Sequence, residues 1–416
     1  MSTGVPSMRS AEAHALLSAH DRALPGLATL LDDAALSERL GAPSTRTYLR
    51  YKTGTNAIAL VDVDGRAAIA HASPAGAGPK RAKALENAAP GDVLLDAPQE
   101  GLLVLDAMAD RRLPALQHVV RAGRVAPWLA ERGHPVDPQA SPLTLAHKPA
   151  RRWVGSLPLT GERAGEQVVL RAYLRDEFDA ALTAHDLIDS SRCSSVRLPR
   201  VLRTHRRGLI ALEHLPGRTL DASVDASTLR RLGAGLGDLH AAGPADLPRA
   251  DRREVNPGLD VIAPVLGAAV DAAADVHAAA SAALRPSPGS VIHGDLSLDQ
   301  VIADGDSLGI IDLDRVRIGN PLDDIASLLA VAGLQALSSG GAGAGAAVIE
   351  RLRGPFVDGH ASTWTGPGGD DFGPRTALAL LDRAGEPFRT GRPDWPEITC
   401  ELIGLAGALT RATVLK

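Results

Sequence analysis

The sequence of 416 residues predicts an α+β fold, with short antiparallel sheets in its first half and helices in most of its second half. Between residues 47 and 212, short apolar runs alternate with polar residues and are separated by Gly-containing turns, a pattern typical of antiparallel strands. From residue 226 onward the apolar residues follow helical spacing. Hydrophobic residues make up 45% and charged residues 22%, a balance that indicates a globular chain with a large core. At roughly 150 residues per domain, this length predicts two or three domains.

Residues 1–140 are predicted to form an accessory α+β domain. Its helical stretches are 1–45 and 116–129, and its strand candidates are 47–63, 66–72 and two short runs within 92–107. Asp64-Gly65 is a hairpin signal, because both residue types tolerate the left-handed backbone of a tight turn. A proline-rich break over 135–142 marks the predicted end of the domain.

Residues 141–215 are predicted to form a small antiparallel sheet, and residues 216–416 a mostly helical unit. The strand candidates of the sheet are 152–159, 167–173, 198–202 and 208–212, with one helix over 176–189. Helices are predicted over 227–241, 262–284, 324–337, 375–384 and 396–412. Residues 338–346 are rich in Ser, Gly and Ala, and this composition predicts a flexible linker.

Composition argues against several classes of partner. A net charge of −5 provides no basic field for nucleic acid or an anionic membrane. The N-terminus lacks the basic and apolar regions of a secretory signal, and no uninterrupted apolar run reaches about 18 residues. Cys193 and Cys400 are far apart and form neither a disulfide framework nor a zinc motif. We therefore expect a soluble, cytoplasmic protein.

Lysine is scarce, and this restricts every mechanism that needs one. Only five of the 44 basic residues are lysines, and none lies between Lys148 and Lys416.

One segment carries most of the predicted chemistry. Residues 291–302 read Val-Ile-His-Gly-Asp-Leu-Ser-Leu-Asp-Gln-Val-Ile, and after an Asp-Gly turn residues 310–314 read Ile-Ile-Asp-Leu-Asp. The apolar runs predict a hairpin that brings Asp295, Gln300 and Asp312 together. Phosphoryl transfer uses such a set, because one carboxylate accepts the proton of an attacking hydroxyl while amide and carboxylate oxygens hold Mg²⁺ on the phosphates. The five-residue interval from Asp295 to Gln300 equals that between the catalytic Asp and the metal-binding Asn of protein kinases.

These residues resemble the motif His-Gly-Asp-x-x-x-x-Asn, followed by Ile-Asp, of the aminoglycoside phosphotransferase and choline kinase family. Residues 319–326, Gly-Asn-Pro-Leu-Asp-Asp-Ile-Ala, resemble that family's Gly-Asp-Pro-x-x-Asp-Leu-Ala. The resemblance implies a bilobal protein-kinase-like fold, with 141–215 as the N-lobe and 216–416 as the C-lobe. It also implies that the protein uses ATP and Mg²⁺ to phosphorylate a hydroxyl of a sugar, aminosugar, aminocyclitol, aminoglycoside or amino alcohol.

The resemblance also implies roles within the catalytic loop, 291–314. Asp295 corresponds to the catalytic base, Gln300 and Asp312 to metal ligands, and Asp324 to an acid that braces the loop. His293 is expected to brace the loop rather than to react. Gln300 stands where most members of the family have Asn. Gln at this position resembles the maltokinase-like branch, which also carries an extra N-terminal domain.

The nucleotide site is predicted from weaker matches. Residues 209–220 resemble the hinge strand, where the backbone of Glu213, His214 and Leu215 would face adenine. The strand that carries the family's nucleotide lysine has Arg171 instead, so either Arg171 or Lys148 is the candidate phosphate-binding cation. Glu177 is the candidate ion-pair partner of Arg171.

The acceptor is predicted only by class. In the family, acidic residues of the C-terminal helices bind cationic substrates. This region contains Asp358, Asp370, Asp371, Asp382, Glu386, Asp394 and Glu397 against Arg375, Arg383, Arg389 and Arg392. This mild acidic excess is compatible with an amine acceptor.

Two other functions compete with an active kinase. Residues 312–316 match the Asp-x-Asp-x-Val motif of haloacid-dehalogenase phosphatases, but that chemistry needs a downstream lysine, and Lys416 is the only one. A kinase-like protein that binds a ligand without turnover is the other alternative, and it is favoured by Arg171, Gln300 and the absence of a Gly-rich loop.

Overall fold

Two antiparallel sheets of five strands each form the β-structure of the first half of the chain. The computed structural model describes residues 8–75, 78–86, 88–121, 123–187, 195–241, 247–249, 258–287, 289–366 and 371–414. The predicted α+β class is confirmed, with sheets before residue 214 and mostly helices after residue 225. Cys193, Asp370, Lys416 and the predicted helix end at residue 189 lie outside the described residues.

The first sheet follows three short helices. The elements of this segment are α1 (Ser10–His20), α2 (Leu27–Leu31), α3 (Asp33–Leu40), β1 (Ser44–Lys52), β2 (Asn56–Val63), β3 (Arg66–Ala72), α4 (Gly78–Glu86), β4 (Val93–Ala97) and β5 (Leu102–Asp106). The strands lie in the order β1-β2-β3-β5-β4. The hairpin predicted at Asp64-Gly65 joins β2 to β3, and both residues have positive φ, 52° and 80°.

The second sheet holds the strands predicted before residue 215. Its segment contains α5 (Val125–Ala130), β6 (Leu143–Lys148), β7 (Arg152–Pro158), β8 (Gln167–Tyr173), α6 (Arg175–Leu187), β9 (Val201–His205) and β10 (Leu209–Glu213). The strands lie in the order β6-β7-β8-β10-β9. The strand predicted over 198–202 is displaced toward the C-terminus, because Arg197 pairs with Leu308 and Ile310 of a different sheet through two backbone hydrogen bonds.

The cores of the two sheets have different neighbours. Leu116 and Leu129 precede the second sheet but are fully buried in its core, together with Trp153. Leu49 of the first sheet is fully buried in one continuous core with the C-terminal helices, including Trp395. The boundaries at 140 and 215 stay predictions, and the first sheet packs on the helical half rather than standing apart.

The second half consists of helices around a small β-hairpin. Its elements are β11 (Arg218–Thr219), α7 (Ala226–Ala241), α8 (Ala263–Ala282), β12 (Ser290–Ile292), β13 (Val301–Asp304), β14 (Ser307–Ile310), β15 (Arg317–Gly319), α9 (Leu322–Thr363), α10 (Phe372–Arg383), α11 (Glu386–Arg389) and α12 (Trp395–Val414). Helices α7 and α9 pack closely at glycines. A Cβ on Gly233 would lie 2.2 Å from the Phe356 carbonyl oxygen, so a larger residue would force the helices apart.

The flexible linker predicted over 338–346 is wrong. These residues are helical within α9, and the helix kinks at Gly341, where φ is 75°. Beyond the kink the chain returns along itself, since a Cβ on Gly345 would lie 3.0 Å from the Gly333 carbonyl oxygen. Small side chains therefore serve close helix packing here, a purpose that composition does not distinguish from flexibility.

Two segments have the length and hydropathy of a membrane span. They are Asp260–Ala282, with a mean hydropathy of 1.4, and Leu322–Gly341, with 1.2. The second is 56% buried inside the fold, as expected of a core helix, and the first is 17% buried. One or two such helices are weak grounds for a membrane protein, because core helices of soluble proteins have the same composition.

Candidate active site

The predicted catalytic hairpin is present. Strands β13 and β14 pair from Val301↔Ile310 to Asp304↔Ser307, around a turn that contains Gly305. Gln300 and Ile311 continue this pairing, since the Ile311 amide donates to the Gln300 carbonyl oxygen at 2.9 Å. This register places Gln300 beside Asp312, as the apolar pattern predicted.

Asp324 supports the backbone of the loop that carries Asp295. The Asp324 carboxylate is fully buried and accepts hydrogen bonds from the backbone amides of His293 and Gly294, both at 2.7 Å. His240 is its third partner, at 3.0 Å. Burial by itself would raise the pKa of Asp324, but these donors outweigh burial and keep the pKa below its ordinary value. Asp324 is therefore a buried anion that fixes the loop backbone.

His293 and Gly294 fix the path of the same loop. The His293 ring is buried, and its Nε2 lies 2.9 Å from the Ile311 carbonyl oxygen, which ties the loop to the hairpin. Gly294 has a φ of 85°, and a Cβ there would lie 2.3 Å from the Arg315 carbonyl oxygen. Only glycine fits this position, so the His-Gly-Asp sequence is a backbone requirement as well as a chemical one.

Asp295 points toward two arginines. Arg383 Nη2 lies 2.6 Å from Asp295 Oδ1, and Arg315 Nη1 lies 3.6 Å from Asp295 Oδ2. The Asp295 side chain is 30% exposed, so a ligand can reach it. Arg383 comes from the end of α10, an element that the motif analysis did not connect to the base.

Gln300 is engaged at both ends of its amide. Its Oε1 accepts a hydrogen bond from the Ser297 backbone amide at 3.0 Å, which completes a capping box with Ser297. Its Nε2 lies 3.5 Å from Asp312 Oδ2. The structure thus brings Gln300 and Asp312 together, with the amide nitrogen rather than the oxygen facing the carboxylate.

Asp312 has a strained backbone and two guanidinium partners. Its φ of 67° lies in the left-handed region, which non-glycine residues seldom adopt outside functional turns. Arg171 Nη2 lies 2.7 Å from Asp312 Oδ1, and Arg152 approaches both carboxylate oxygens, at 3.0 and 3.2 Å. Burial acts to raise the pKa of Asp312, but Arg171 and Arg152 outweigh it and hold the pKa far below its ordinary value.

A second carboxylate, Asp314, completes this cluster. Arg171 Nη2 lies 2.8 Å from Asp314 Oδ2, and the Tyr173 hydroxyl donates to Asp314 Oδ1 at 2.8 Å. Arg152 also contacts Asp314. Among the described residues the ion-pair partners of Arg171 are thus Asp312 and Asp314, and not Glu177 as predicted.

Lys148 is the last residue of β6. Desolvation and the nearby guanidinium of Arg152 lower the pKa of its ammonium, while the carboxylates of Asp295 and Asp312 oppose this change. Only 6% of the Arg171 side chain is exposed, so Lys148 is the more accessible of the two candidate phosphate-binding cations.

The predicted adenine site lies where the chain leaves the second sheet. Glu213 is the last residue of β10, and His214 and Leu215 follow it. Partial burial acts to raise the pKa of the Glu213 carboxyl, but Arg200 at 3.0 Å and Arg197 at 3.1 Å outweigh it and keep the pKa low. The Glu213 side chain is used by these arginines, and its backbone amide donates to the Arg200 carbonyl oxygen at 2.9 Å. Adenine binding by residues 213–215 stays a prediction.

The carboxylates of Asp312 and Asp314 fit a magnesium ion by type, since Mg²⁺ in nucleotide sites commonly uses one or two carboxylates together with phosphates. Gln300 would have to turn its amide to join them, because its Oε1 accepts the Ser297 backbone amide and its Nε2 faces Asp312. No cluster of three or more His, Cys, Asp or Glu side chains able to hold a metal occurs among the described residues. A bound ion would have to share Asp312 with Arg152 and Arg171.

The comparison with protein families identifies the class of the chain. Residues 158–355 match the phosphotransferase enzyme family. The matched segment contains Arg171, Asp295, Gln300 and Asp312, and it confirms the family predicted from the motifs. This part of the chain is thus similar to the aminoglycoside phosphotransferase and choline kinase-like proteins, which are small-molecule kinases. No protein of curated function matches the chain.

Solved structures confirm the predicted protein-kinase-like fold. A microcompartment-associated aminopropanol kinase has a TM-score of 0.51 and 16% identity, covering 71% of this chain and 98% of its own. An amicoumacin kinase, hAmiN, in complex with AMP-PNP, Ca²⁺ and Ami has a TM-score of 0.50 and 15% identity, covering 70% and 95%. A macrolide 2′-phosphotransferase from Brachybacterium faecium also matches, with a TM-score of 0.44, 17% identity, and coverage of 67% and 97%.

Three residues of the site are not part of the sequence motifs: Arg152, Tyr173 and Arg383. Arg152 pairs with Tyr173 across β7 and β8, and Arg171 lies two residues before Tyr173, so all three side chains share one face of the sheet. Strand alternation could have revealed this face. Nothing in the sequence pattern links Arg383 to Asp295, because the two residues are 88 positions apart.

Proposed function

We propose that this protein transfers the γ-phosphoryl group of ATP to a hydroxyl of a small molecule, in a reaction that depends on Mg²⁺. The observation that carries the proposal is that the loop of Asp295 is tied to the hairpin of Asp312, because His293 Nε2 lies 2.9 Å from the Ile311 carbonyl oxygen. The family match and the nucleotide analogue in the amicoumacin kinase structure support ATP as the donor. By resemblance, the acceptors are sugars, aminosugars, aminocyclitols, aminoglycosides and amino alcohols.

In the proposed reaction Asp295 orients the acceptor hydroxyl and accepts its proton. The acceptor oxygen forms a bond to the γ-phosphorus, the bond from that phosphorus to the β–γ bridging oxygen breaks, and ADP leaves. Arg383 holds Asp295 Oδ1 at 2.6 Å, which leaves Oδ2 for the acceptor. The loop is kept in place by Asp324 through the amides of His293 and Gly294.

On the nucleotide side, Arg171 and Lys148 are proposed to contact the phosphates, and Glu213 to Leu215 to contact adenine. Asp312 and Gln300 would hold Mg²⁺, which neutralises charge on the phosphates when it is bound. Arg171 is only 6% exposed, and Asp312 and Asp314 hold it within the cluster, so it offers a preorganised charge rather than a mobile side chain. Arg152 is more accessible, with 22% of its side chain exposed.

Asp295→Asn tests the proposed base. We expect kcat for ATP-dependent phosphorylation to fall by at least about 100-fold, because a positioned general base contributes that much or more. Stabilisation by ATP and Mg²⁺ in a thermal-shift measurement should persist. The matched control is Asp306→Asn in the turn of the same hairpin, where the Asp306 side chain is 99% exposed. Turnover by Asp295→Asn at the wild-type rate would refute the assignment.

A kinase-like protein that binds nucleotide without turnover is the second candidate. It is favoured by the two guanidinium groups that already occupy Asp312, since they compete with a metal ion for the same oxygens. Stabilisation by ATP in the absence of ADP formation from any acceptor would support this function. Steady ADP production that requires an acceptor would exclude it.

A further inference from the structure

The surroundings of Asp295 are more basic than an amine-binding site requires. We call Asp295, Arg315, Arg383, Glu386 and Lys148 the acceptor cluster. Three of its side chains are cationic and two are carboxylates. Arg383 lies 2.6 Å from Asp295 and 3.0 Å from Glu386, so its charge is shared between the two acids. With three cations against two carboxylates, the cluster has a net charge of +1.

Arg315 is the member of the cluster that is free to meet a ligand. Its side chain is 59% exposed, and its Nη1 lies 3.6 Å from Asp295 Oδ2, the oxygen that Arg383 does not hold. A group bound by Arg315 would therefore lie beside the oxygen that accepts the acceptor proton. Lys148 faces Asp312 as well as Asp295, so its charge is divided between the acceptor and the nucleotide phosphates.

Three of the C-terminal acids are already paired with arginines. Asp371 binds Arg375 at 2.7 Å, with Asp371 only 2% exposed, and Asp394 binds Arg392 at 2.9 Å. Glu386 binds Arg383 at 3.0 Å. The charges of these three acids are therefore balanced locally, which reduces their attraction for an amine.

We infer that the acceptor carries a carboxylate or phosphate group, which Arg315 binds next to the hydroxyl that is phosphorylated. The inference rests on the proposed kinase function and narrows it to hydroxy acids, sugar acids or sugar phosphates. A guanidinium favours both anions because its planar N–H groups match their oxygens. An ammonium group on the acceptor would instead be repelled by Arg315 and Lys148.

Matched acceptors test the sign of the charge. Purified full-length protein is assayed for acceptor-dependent ADP formation with D-glucose, D-glucosamine, D-glucuronate and D-glucose 6-phosphate, and with glycerol, 3-amino-1,2-propanediol and D-glycerate. We expect kcat/KM to be at least tenfold higher for an anionic member than for the neutral and cationic members of the same scaffold. The carboxylate and phosphate arms show which anion is preferred.

Arg315→Gln tests the residue. We expect KM for the preferred anionic acceptor to rise about tenfold, with kcat and the KM for ATP nearly unchanged, because the charge is lost from the acceptor side only. Arg353→Gln on α9 is the matched control, since Arg353 is also exposed, at 44%, and pairs with a single acid, Glu350. It should leave all constants unchanged.

The outcomes separate the inference from the function on which it rests. Preference for a neutral or cationic acceptor, or a rise in the KM for ATP with Arg315→Gln, overturns the inference and leaves the kinase function standing. The inference is also overturned if the protein hydrolyses ATP but phosphorylates none of the anionic acceptors in the panel. A protein with neither hydrolysis nor transfer contradicts the proposed function itself, and the inference falls with it.

Discussion

At the scale of single residues, Arg171 is where this protein departs most from its family. A lysine presents one compact charge, whereas Arg171 reaches Asp312 and Asp314 through a single Nη2, at 2.7 and 2.8 Å. Its Nε is buried without a hydrogen-bond partner among the described residues. Tyr173 and Arg152 then close the cluster around Asp314. Arg171 is therefore part of a network with Asp312, Asp314, Tyr173 and Arg152, and a substitution of Arg171 alone would disturb the whole network.

Arg171→Lys should lower both stability and nucleotide affinity. Lysine keeps the charge but cannot reproduce the guanidinium geometry, so we expect the free energy of unfolding to fall by about 1–3 kcal/mol. Arg171→Met should cost more, up to about 3–5 kcal/mol, because it removes a buried charge and leaves two partly buried carboxylates with fewer partners. Urea unfolding measures both changes. Arg39→Lys, in an exposed pair with Glu100, is the control and should change stability by less than about 0.5 kcal/mol. Equal effects at the two positions would contradict a special role for Arg171.

Histidine 360 provides a pH-dependent term in stability. Burial and the neighbouring His240 lower the pKa of His360 to about 4, well below its ordinary value of 6.5. The unfolded chain therefore binds a proton between pH 6.5 and 4 that the folded chain does not bind, so stability falls as the pH is lowered through this range. The contribution of this single residue is at most about 3 kcal/mol.

His360→Asn should flatten this part of the stability profile. Urea unfolding at several values between pH 6.5 and 4 would give a smaller loss of stability for the variant than for the wild type. His118→Asn, at an exposed histidine, is the control and should keep the wild-type slope. His14, whose pKa is also lowered to about 4 by burial and by Arg46, contributes with the same sign and remains in both variants. An unchanged slope in His360→Asn would show that the histidine is not protonated on unfolding.

At the scale of elements, the contact between α7 and α9 depends on glycines, because a residue without a side chain lets the two backbones approach closely. A Cβ on Gly359 would lie 2.1 Å from the Arg230 carbonyl oxygen, and one on Gly233 would lie 2.2 Å from that of Phe356. The same two helices carry His240 and His360. His240 Nδ1 lies 2.9 Å from His360 Nε2, and His240 Nε2 lies 3.0 Å from Asp324 Oδ2. Close helix packing and the support of the catalytic loop are thus one arrangement.

Gly359→Ala should destabilise the protein by about 1–3 kcal/mol, because the methyl group meets backbone that cannot move aside without separating the helices. Gly354→Ala in the same helix is a matched control, since nothing lies within 4 Å of its Cβ position. That substitution should stabilise by roughly 0.5–1 kcal/mol through helix propensity. Thermal or urea unfolding distinguishes the two. If both variants gained stability, the close approach would not be essential.

At the scale of the whole molecule, the site is assembled from three parts of the chain. Strands β7 and β8 supply Arg152 and Arg171, the hairpin supplies Asp312, and α10 supplies Arg383. The first sheet takes no part in these contacts, but it shares one core with the C-terminal helices that include α10. The N-terminal segment is therefore positioned to stabilise the helices that carry Arg383.

The sequence predicted the site well where local order and chemistry coincide. The hairpin follows from a short-range apolar pattern, and the structure contains it. The support of the loop by Asp324, which the family resemblance implied, is also present. The sequence predicted the partner of Arg171 wrongly, because Asp314 and Glu177 are both plausible acids and only the packing of β8 against the hairpin selects one. The linker over 338–346 failed for a similar reason, since glycine and alanine suit both flexible chain and close helix contacts.

The sequence by itself determined the class of this protein, because phosphotransfer requires specific residue types at fixed short intervals, and such intervals are visible in a linear chain. It also determined the α+β arrangement through the period of its apolar residues. Only the tertiary structure decided the charge around Asp295 and Asp312. Arg152, Arg171 and Arg383 reach these carboxylates across 88 to 160 residues of chain. Electrostatic interactions depend on distance in space, and folding alone sets that distance.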